Sequence, residues 1–254
     1  MKKLALISAI SLISVSAISG DNFKFDRSLT MSTDRLSAVE FDLGAGSLDI
    51  VGTTGDQIKI NATIESDDYR DMENLVDDFE EKMLFSIDRQ SGYAVVYAKS
   101  KNNLNWGKSK NIMIHLEVEV PRGMDLVIDD GSGSISIENM AGELKIDDGS
   151  GSIALRDIGN HVQIEDGSGS ITIADVNGDL NIDDNSGKVE IKNVTGSIDI
   201  EDGSGSILAK DVGGDFRVDD GSGDIVVNTL AGEFHLTDDG SGSIRVNGKR
   251  WNVK

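Results

Sequence analysis

Residues 130–147 read DGSGSISIENMAGELKID, and residues 148–165 read DGSGSIALRDIGNHVQIE. The unit returns as DGSGSITIADVNGDLNID from Asp166, DNSGKVEIKNVTGSIDIE from Asp184, DGSGSILAKDVGGDFRVD from Asp202 and DGSGDIVVNTLAGEFHLTD from Asp220, then breaks off in DGSGSIRV at Asp239. Self-similarity at a fixed period is the mark of a stacked repeat architecture. Thr237 is the apparent insertion that stretches one interval from 18 to 19 residues. Each unit holds two short alternating segments, Ile135 and Ile137 in one, Leu144 and Ile146 in the other, with a turn around Asn139 to Gly142 between them and a DDGSGS corner after them. Period-two alternation bounded by Gly, Asn, Asp and Ser is the signal of strands and turns.

A unit of this size cannot bury its own apolar face, so the units must stack. As coils of a parallel β-solenoid they align Ile135, Ile153, Ile171, Val189, Ile207, Ile225 and Ile244 in one internal ladder, and Leu144, Val162, Leu180, Ile198, Phe216 and Phe234 in another. The hexapeptide period of a left-handed triangular helix would demand a small or aliphatic residue at Asp147, which is acidic in every unit. The calcium β-roll would demand an aspartate at Ser136, Ala154, Thr172, Glu190, Leu208 and Val226. The expected fold class is therefore all-β: a single-stranded right-handed parallel β-helix with 18-residue coils and a small α+β insertion near its N-terminal end.

Outward from the repeats, the chain divides into a signal peptide (1–19), N-terminal strands and a first repeat-like coil (20–60), a helix-hairpin insertion with a basic loop (61–111), the solenoid repeats (112–246) and a C-terminal cap (247–254). Lys2 and Lys3 precede an uncharged run from Leu4 to Ile18, with small residues at Ala17 and Ser19, the pattern of a cleaved secretory leader. GAGSLDIVGTTGDQIKI, 44–60, is a stretched earlier copy of the repeat. Ser66 with Asp67 and Asp68 predicts a helix N-cap, and Tyr69, Met72, Leu75, Phe79 and Met83 form a helical stripe. Strands are expected from Phe85 and from Tyr93 to Ala98, and IMIHLEVEVPRGMDLVIDD (112–130) is expected as an irregular first coil. The helix would cap one open end of the solenoid, and NGKRWNVK with Trp251 the other.

The signal peptide, the VEVPRG segment at Val118 to Gly123 and the GSGSI strands with D-V-x-G turns resemble the putative-adhesin family of bacterial exported β-helix domains, related to auto-transporter adhesin head domains. The resemblance covers residues 36–246. It implies a right-handed β-helix and an envelope location, and it supplies no catalytic residue to carry over.

Composition narrows the chemistry. The 254 residues contain no cysteine, which excludes disulfides, thiolate metal sites and a Cys nucleophile. The net charge of −21 argues against nucleic acid and anionic membranes as partners. Residues 129–246 carry 25 acids against 7 bases. Two acidic columns are expected to run down the rod: Asp129, Asp147, Glu165, Asp183, Glu201, Asp219 and Asp238, and beside them Asp130, Asp148, Asp166, Asp184, Asp202, Asp220 and Asp239. Carboxylates ~4.8 Å apart repel by ~0.9 kcal/mol even in water. Two devices relieve this: Asx-turns with splaying into solvent, or a calcium ladder bridging adjacent coils through these carboxylates. No other cofactor is expected.

Catalysis is disfavoured because every DD pair has nearly the same neighbours, whereas paired catalytic carboxylates need distinct environments. His115, His161 and His235 fall in different coils and are expected as exposed strand residues, and no nucleophile elbow, zincin or P-loop sequence occurs. The serines of the GSGS corners form a polar stripe. Lys99, Lys101, Trp106, Lys108 and Lys110 form a candidate attachment site for an anionic envelope polymer, or fold back on the protein's own acids. The expected function is non-enzymatic surface interaction or adhesion in the periplasm or at the cell surface of a bacterium, with an envelope or surface protein or glycan as partner. No membrane insertion is expected after signal cleavage, and self-association remains open. An envelope-stress or signalling accessory is the alternative, and a β-helix polysaccharide-acting enzyme a second.

Overall fold

A computed structural model describes residues 23–101 and 110–251. The leader lies outside the described residues. Before the repeats the chain forms β1 (Phe23–Ser32), β2 (Ala38–Leu43), β3 (Leu48–Thr53), β4 (Gln57–Ser66), helix α1 (Met72–Lys82), β5 (Met83–Arg89), β6 (Tyr93–Ser100) and β7 (Met113–Pro121). The repeats follow as pairs: β8 (Asp125–Asp130) with β9 (Gly133–Met140), β10 (Leu144–Asp148) with β11 (Gly151–Ile158), β12 (Val162–Asp166) with β13 (Gly169–Val176), and β14 (Leu180–Asp184) with β15 (Gly187–Val194). Then come β16 (Ile198–Asp202) with β17 (Gly205–Val212), β18 (Phe216–Asp220) with β19 (Ile225–Leu230), and β20 (Phe234–Asp239) with β21 (Ile244–Val246); β22 (Lys249–Arg250) ends the described chain.

Each coil gives its first strand to one sheet and its second to the other, which makes a β-solenoid of two facing sheets, one of 10 strands and one of 12. Both predicted ladders are in register. Leu48, Ile135, Ile153, Ile171, Val189, Ile207, Ile225 and Ile244 pair in succession across the larger sheet. Leu126, Leu144, Val162, Leu180, Ile198, Phe216 and Phe234 pair across the smaller one. Thr237 is taken up as a bulge between the partners of Val218 and Asp219.

The second strand of each coil turns its corner through one left-handed residue: Asn139, Asp157, Asp175, Asn193, Asp211, Thr229 and Asn247 all have φ between 49° and 62°. Asn and Asp tolerate this region best among residues with a Cβ. The kink restores the inward phase, so that Met140, Ile158, Val176, Val194, Val212 and Leu230 form a third buried column.

The N-terminal end departs from the expected order in three ways. The earlier repeat copy is only half a coil: β3 pairs in parallel with β9, but the segment beginning at Gln57 reverses into β4, antiparallel to β1 and β7. Residues 112–130 do not make one coil. Strand β7 belongs to an outer coil with β6, β8 opens the regular stack, and the coil β2–β3 sits between them. Chain order and spatial order therefore differ here, because Arg122 to Met124 bridge across the intervening coil: Arg122 N–H donates to Thr53 O and Asp125 N–H to Ser37 O.

Helix α1 does cap this end, but its N-cap is Asp71, whose carboxylate accepts from the Asn74 N–H at 2.9 Å. Ser66 is instead buried at the end of β4, and its hydroxyl donates to Asn111 O. Tyr69 lies before the helix and donates to Asp78. Leu75 and Phe79 are the buried face, with Phe79 edge-on to Phe25 at 5.3 Å. At the other end Phe216 stacks on Phe234 at 5.9 Å, and Trp251 meets Phe234 edge-on at 5.0 Å.

Candidate functional site

The acidic columns part company at the corners. Alternation along β10 buries Leu144, Ile146 and Asp148 and exposes Lys145 and Asp147, and the pattern repeats in the coils that follow. The column from Asp129 to Asp219 therefore faces outward, while Asp130, Asp148, Asp166, Asp184, Asp202 and Asp220 are each 4% exposed or less. Opposite faces of one strand cannot jointly enclose an ion. Among the described residues no group of three or more His, Asp or Glu side chains gathers at the corners.

What the inward aspartates do is build the corner. The Asp148 Oδ1 accepts from the Ser150 N–H at 3.1 Å, Asp166 from Ser168 at 3.0 Å, and Asp184, Asp202 and Asp220 from Ser186, Ser204 and Ser222 at 2.9 Å each. These are the Asx-turns the DGS spacing predicts. The glycine three residues after each aspartate allows the coils to touch: Gly169 has φ +148°, and a Cβ there would lie 1.4 Å from the Gly151 carbonyl oxygen. Burial drives up the carboxyls of Asp130, to about 7, of Asp166, Asp184 and Asp202, to about 6, and of Asp148, with neighbouring aspartates adding to the effect.

A second ladder, not foreseen from the sequence, runs along the opposite corner. Asp125 accepts from the Glu143 N–H at 2.9 Å, His161 Nδ1 from Asp179 N–H at 3.2 Å, Asp179 from Ser197 N–H at 2.8 Å, Ser197 Oγ from Asp215 N–H at 3.2 Å, and Asp215 from Glu233 N–H at 2.8 Å. Each side chain thus satisfies the backbone of the next coil, 18 residues on. The preponderance of Asp, Ser and His at this phase of the repeat was the available signal: all are short acceptors.

Beside this ladder an open groove of about 780 Å³ runs along the outer face of the 10-stranded sheet. One wall is the capping ladder, and the other carries Val127, Lys145, Gln163, Asn181, Asp199, Arg217 and His235. His161 and His235 are both exposed and line the groove; His235 is a strand residue as expected, whereas His161 lies in the corner just before β12. His115 differs: it is half-buried, and its Nδ1 accepts from the Ser47 N–H at 3.1 Å.

Of the basic candidates, Trp106 and Lys108 lie outside the described residues. The other three turn back on the protein. Lys99 pairs with Asp42, Lys101 donates to the Glu80 and Glu81 carbonyls in the last turn of α1, and Lys110 Nζ sits 3.8 Å from the centre of the Tyr69 ring.

Several solved structures are similar to the chain. A "putative adhesin" of Bacteroides fragilis matches with TM-score 0.54 and 13% identity, over 86% of this chain and 95% of that one. A "putative lipid binding protein" of Parabacteroides distasonis matches over 88% and 95%, with 15% identity and TM-score 0.43. A "putative adhesin" of Parabacteroides merdae matches over 86% and 95%, with 12% identity and TM-score 0.36. No curated protein matches the chain. The family model of the Toastrack DUF4097 domains aligns with residues 40–249, from β2 to the strand that closes the last coil, and the chain belongs to that family.

Proposed function

We propose that the protein is a non-enzymatic, exported β-solenoid that holds an extended envelope glycan against the side of its rod. The observation that carries this reading is the axial groove: Asp125, Asp179 and Asp215 each commit one carboxylate oxygen to the backbone of the next coil, so the side chains are fixed before any ligand arrives. Fixed polar groups bind without a large ordering cost. The coil spacing of ~4.8 Å is close to the advance of one sugar ring in a β-linked chain, so successive rings would meet successive coils. Apart from β20, the terminal strand of the sheet, every strand under the groove is already paired on both edges, which leaves little for a peptide backbone to add to and favours a ligand that hydrogen-bonds through hydroxyl groups. Acids outnumber Lys145 and Arg217 among the lining residues, so a neutral or amino-bearing glycan fits better than a uronate or phosphate polymer.

The lack of catalysis follows from uniformity. The outward acids stand at equivalent phases of successive coils, and the inward aspartates beside them are buried away from the groove, so among the described residues no coil presents a carboxylic acid and a carboxylate base together to a substrate. Among the described residues no helix is long and apolar enough to cross a membrane. The test is binding of the full chain to immobilised neutral, amino-bearing and acidic polysaccharides. Gln163→Ala with Asn181→Ala in the groove should weaken retention at least tenfold, and Thr172→Ala on the outer face of the 12-stranded sheet should not. Equal retention of both variants would refute the groove as the binding face.

A further inference from the structure

We infer that the inward aspartates form a proton-holding column, in which carboxylic acid groups donate to carboxylates of adjacent coils, and that the rod is consequently tightened by acid and loosened by alkali. The geometry starts from the orphan atoms. In Asp130, Asp148, Asp166, Asp184 and Asp202 one oxygen is occupied by the corner backbone, while Oδ2 is buried with no hydrogen-bonding partner. A buried acceptor without a donor is costly, and a buried charge without a counter-charge more so.

No cation is placed to relieve it. Among the described residues no Lys, Arg or His is buried. The strands facing the column from the other sheet begin with Gly133, Gly151, Gly169, Gly187 and Gly205, and the base beside them, Lys188, is exposed and pairs with Glu190. The remaining charged groups nearby are acids: the column's own members, and Asp129, Asp147, Glu165, Asp183, Glu201 and Asp219 on the outer face of the same strands. The donor that the site lacks is supplied by protonation, since a neutral carboxyl carries the O–H that a neighbour one coil away needs.

The sign of the pH dependence follows. The folded-state values lie at about 6 to 7 against 3.8 for an ordinary aspartate, so folding takes up protons. The stabilisation is complete below the unfolded value and is lost as pH rises through the folded values. This is opposite to ordinary acid denaturation.

The experiment is thermal unfolding of the full chain from pH 5 to 8.5 at constant ionic strength, with chelator and again with calcium. Wild type should lose about 5 °C or more of Tm between pH 5.5 and 8. The triple variant Asp166→Asn, Asp184→Asn, Asp202→Asn should flatten that slope and melt higher at pH 8, while the outward Asp183→Asn should keep the wild-type slope. Infrared spectra of wild type at pH 6 should contain a protonated carboxyl band that fades by pH 8.5, a readout that does not depend on any variant folding. A wild-type Tm independent of pH, an unchanged slope in the triple variant, absence of the band, or a calcium-induced rise in Tm at pH 8 that the triple variant lacks would each overturn the proposal, the last by assigning the column to metal.

Discussion

Replacing Gly169 by alanine separates two costs that usually arrive together. The residue has φ +148°, and the added methyl would lie 1.4 Å from the Gly151 carbonyl oxygen and 2.6 Å from its carbon, both backbone atoms of the coil below. The coils must part at this corner to admit it. That strains the bonds from Gly151 N–H to Ser168 O at 2.9 Å and from Gly169 N–H to Ser186 O at 3.1 Å. Two backbone hydrogen bonds at about 1 kcal/mol each, added to about 1–2 kcal/mol for a side chain at positive φ, give a loss of at least about 3–4 kcal/mol. Gly92 supplies the control, because it also has positive φ (+96°) but an added Cβ meets nothing within 4 Å. Gly92→Ala should therefore lose only the conformational part, about 1–2 kcal/mol. Urea unfolding followed by circular dichroism measures both, and limited proteolysis should find a new cut near residues 167–169 in Gly169→Ala alone. Equal losses in the two variants, with no new cut, would refute the claim that the corner glycines are required by contact between coils.

Thr229 is the β-branched exception in a column otherwise made of Asn and Asp at φ near 60°, so Thr229→Asn should raise stability by about 0.5–1 kcal/mol, read as a higher urea midpoint. Phe216 is fully buried between coils and stacked on Phe234; Phe216→Ala should cost about 3–5 kcal/mol in the same assay. Trp251 is 41% exposed yet covers Phe234, so Trp251→Ala should change global stability by less than about 1 kcal/mol while hydrogen exchange in β20 to β22 becomes faster.

The apolar ladders were legible because period-two alternation fixes which side chains face inward once the 18-residue register is set. Ile135 to Ile244 needed no further information. The same parity turns Asp148 inward with Leu144 and Ile146, which the expectation of two acidic columns side by side, relieved by splaying into solvent, did not take up, and the Asx-turn of the corner holds it there. The capping ladder from Asp125 to Asp215 was written as a run of short acceptors at one phase, without any local sign that their partners lay a whole coil away. Least legible was the N-terminal end. The pairing of Leu48 with Ile135 joins positions far apart in the chain, and no periodicity in residues 44–121 announces that β2–β3 will lie between β6–β7 and the first regular coil.

That interlocked end gives the rod a fixed origin. Three coils are threaded there out of chain order, so none can be duplicated or removed without breaking the bridge at Arg122 to Met124. From β10 to β17 each coil pairs with its predecessor and successor through the same register, and an extra 18-residue unit inserted at a corner there would lengthen the molecule by ~4.8 Å and leave both caps as they are. The architecture is a ruler that can be extended from one side of its zero mark, and the reach of the groove along it would scale with the number of units.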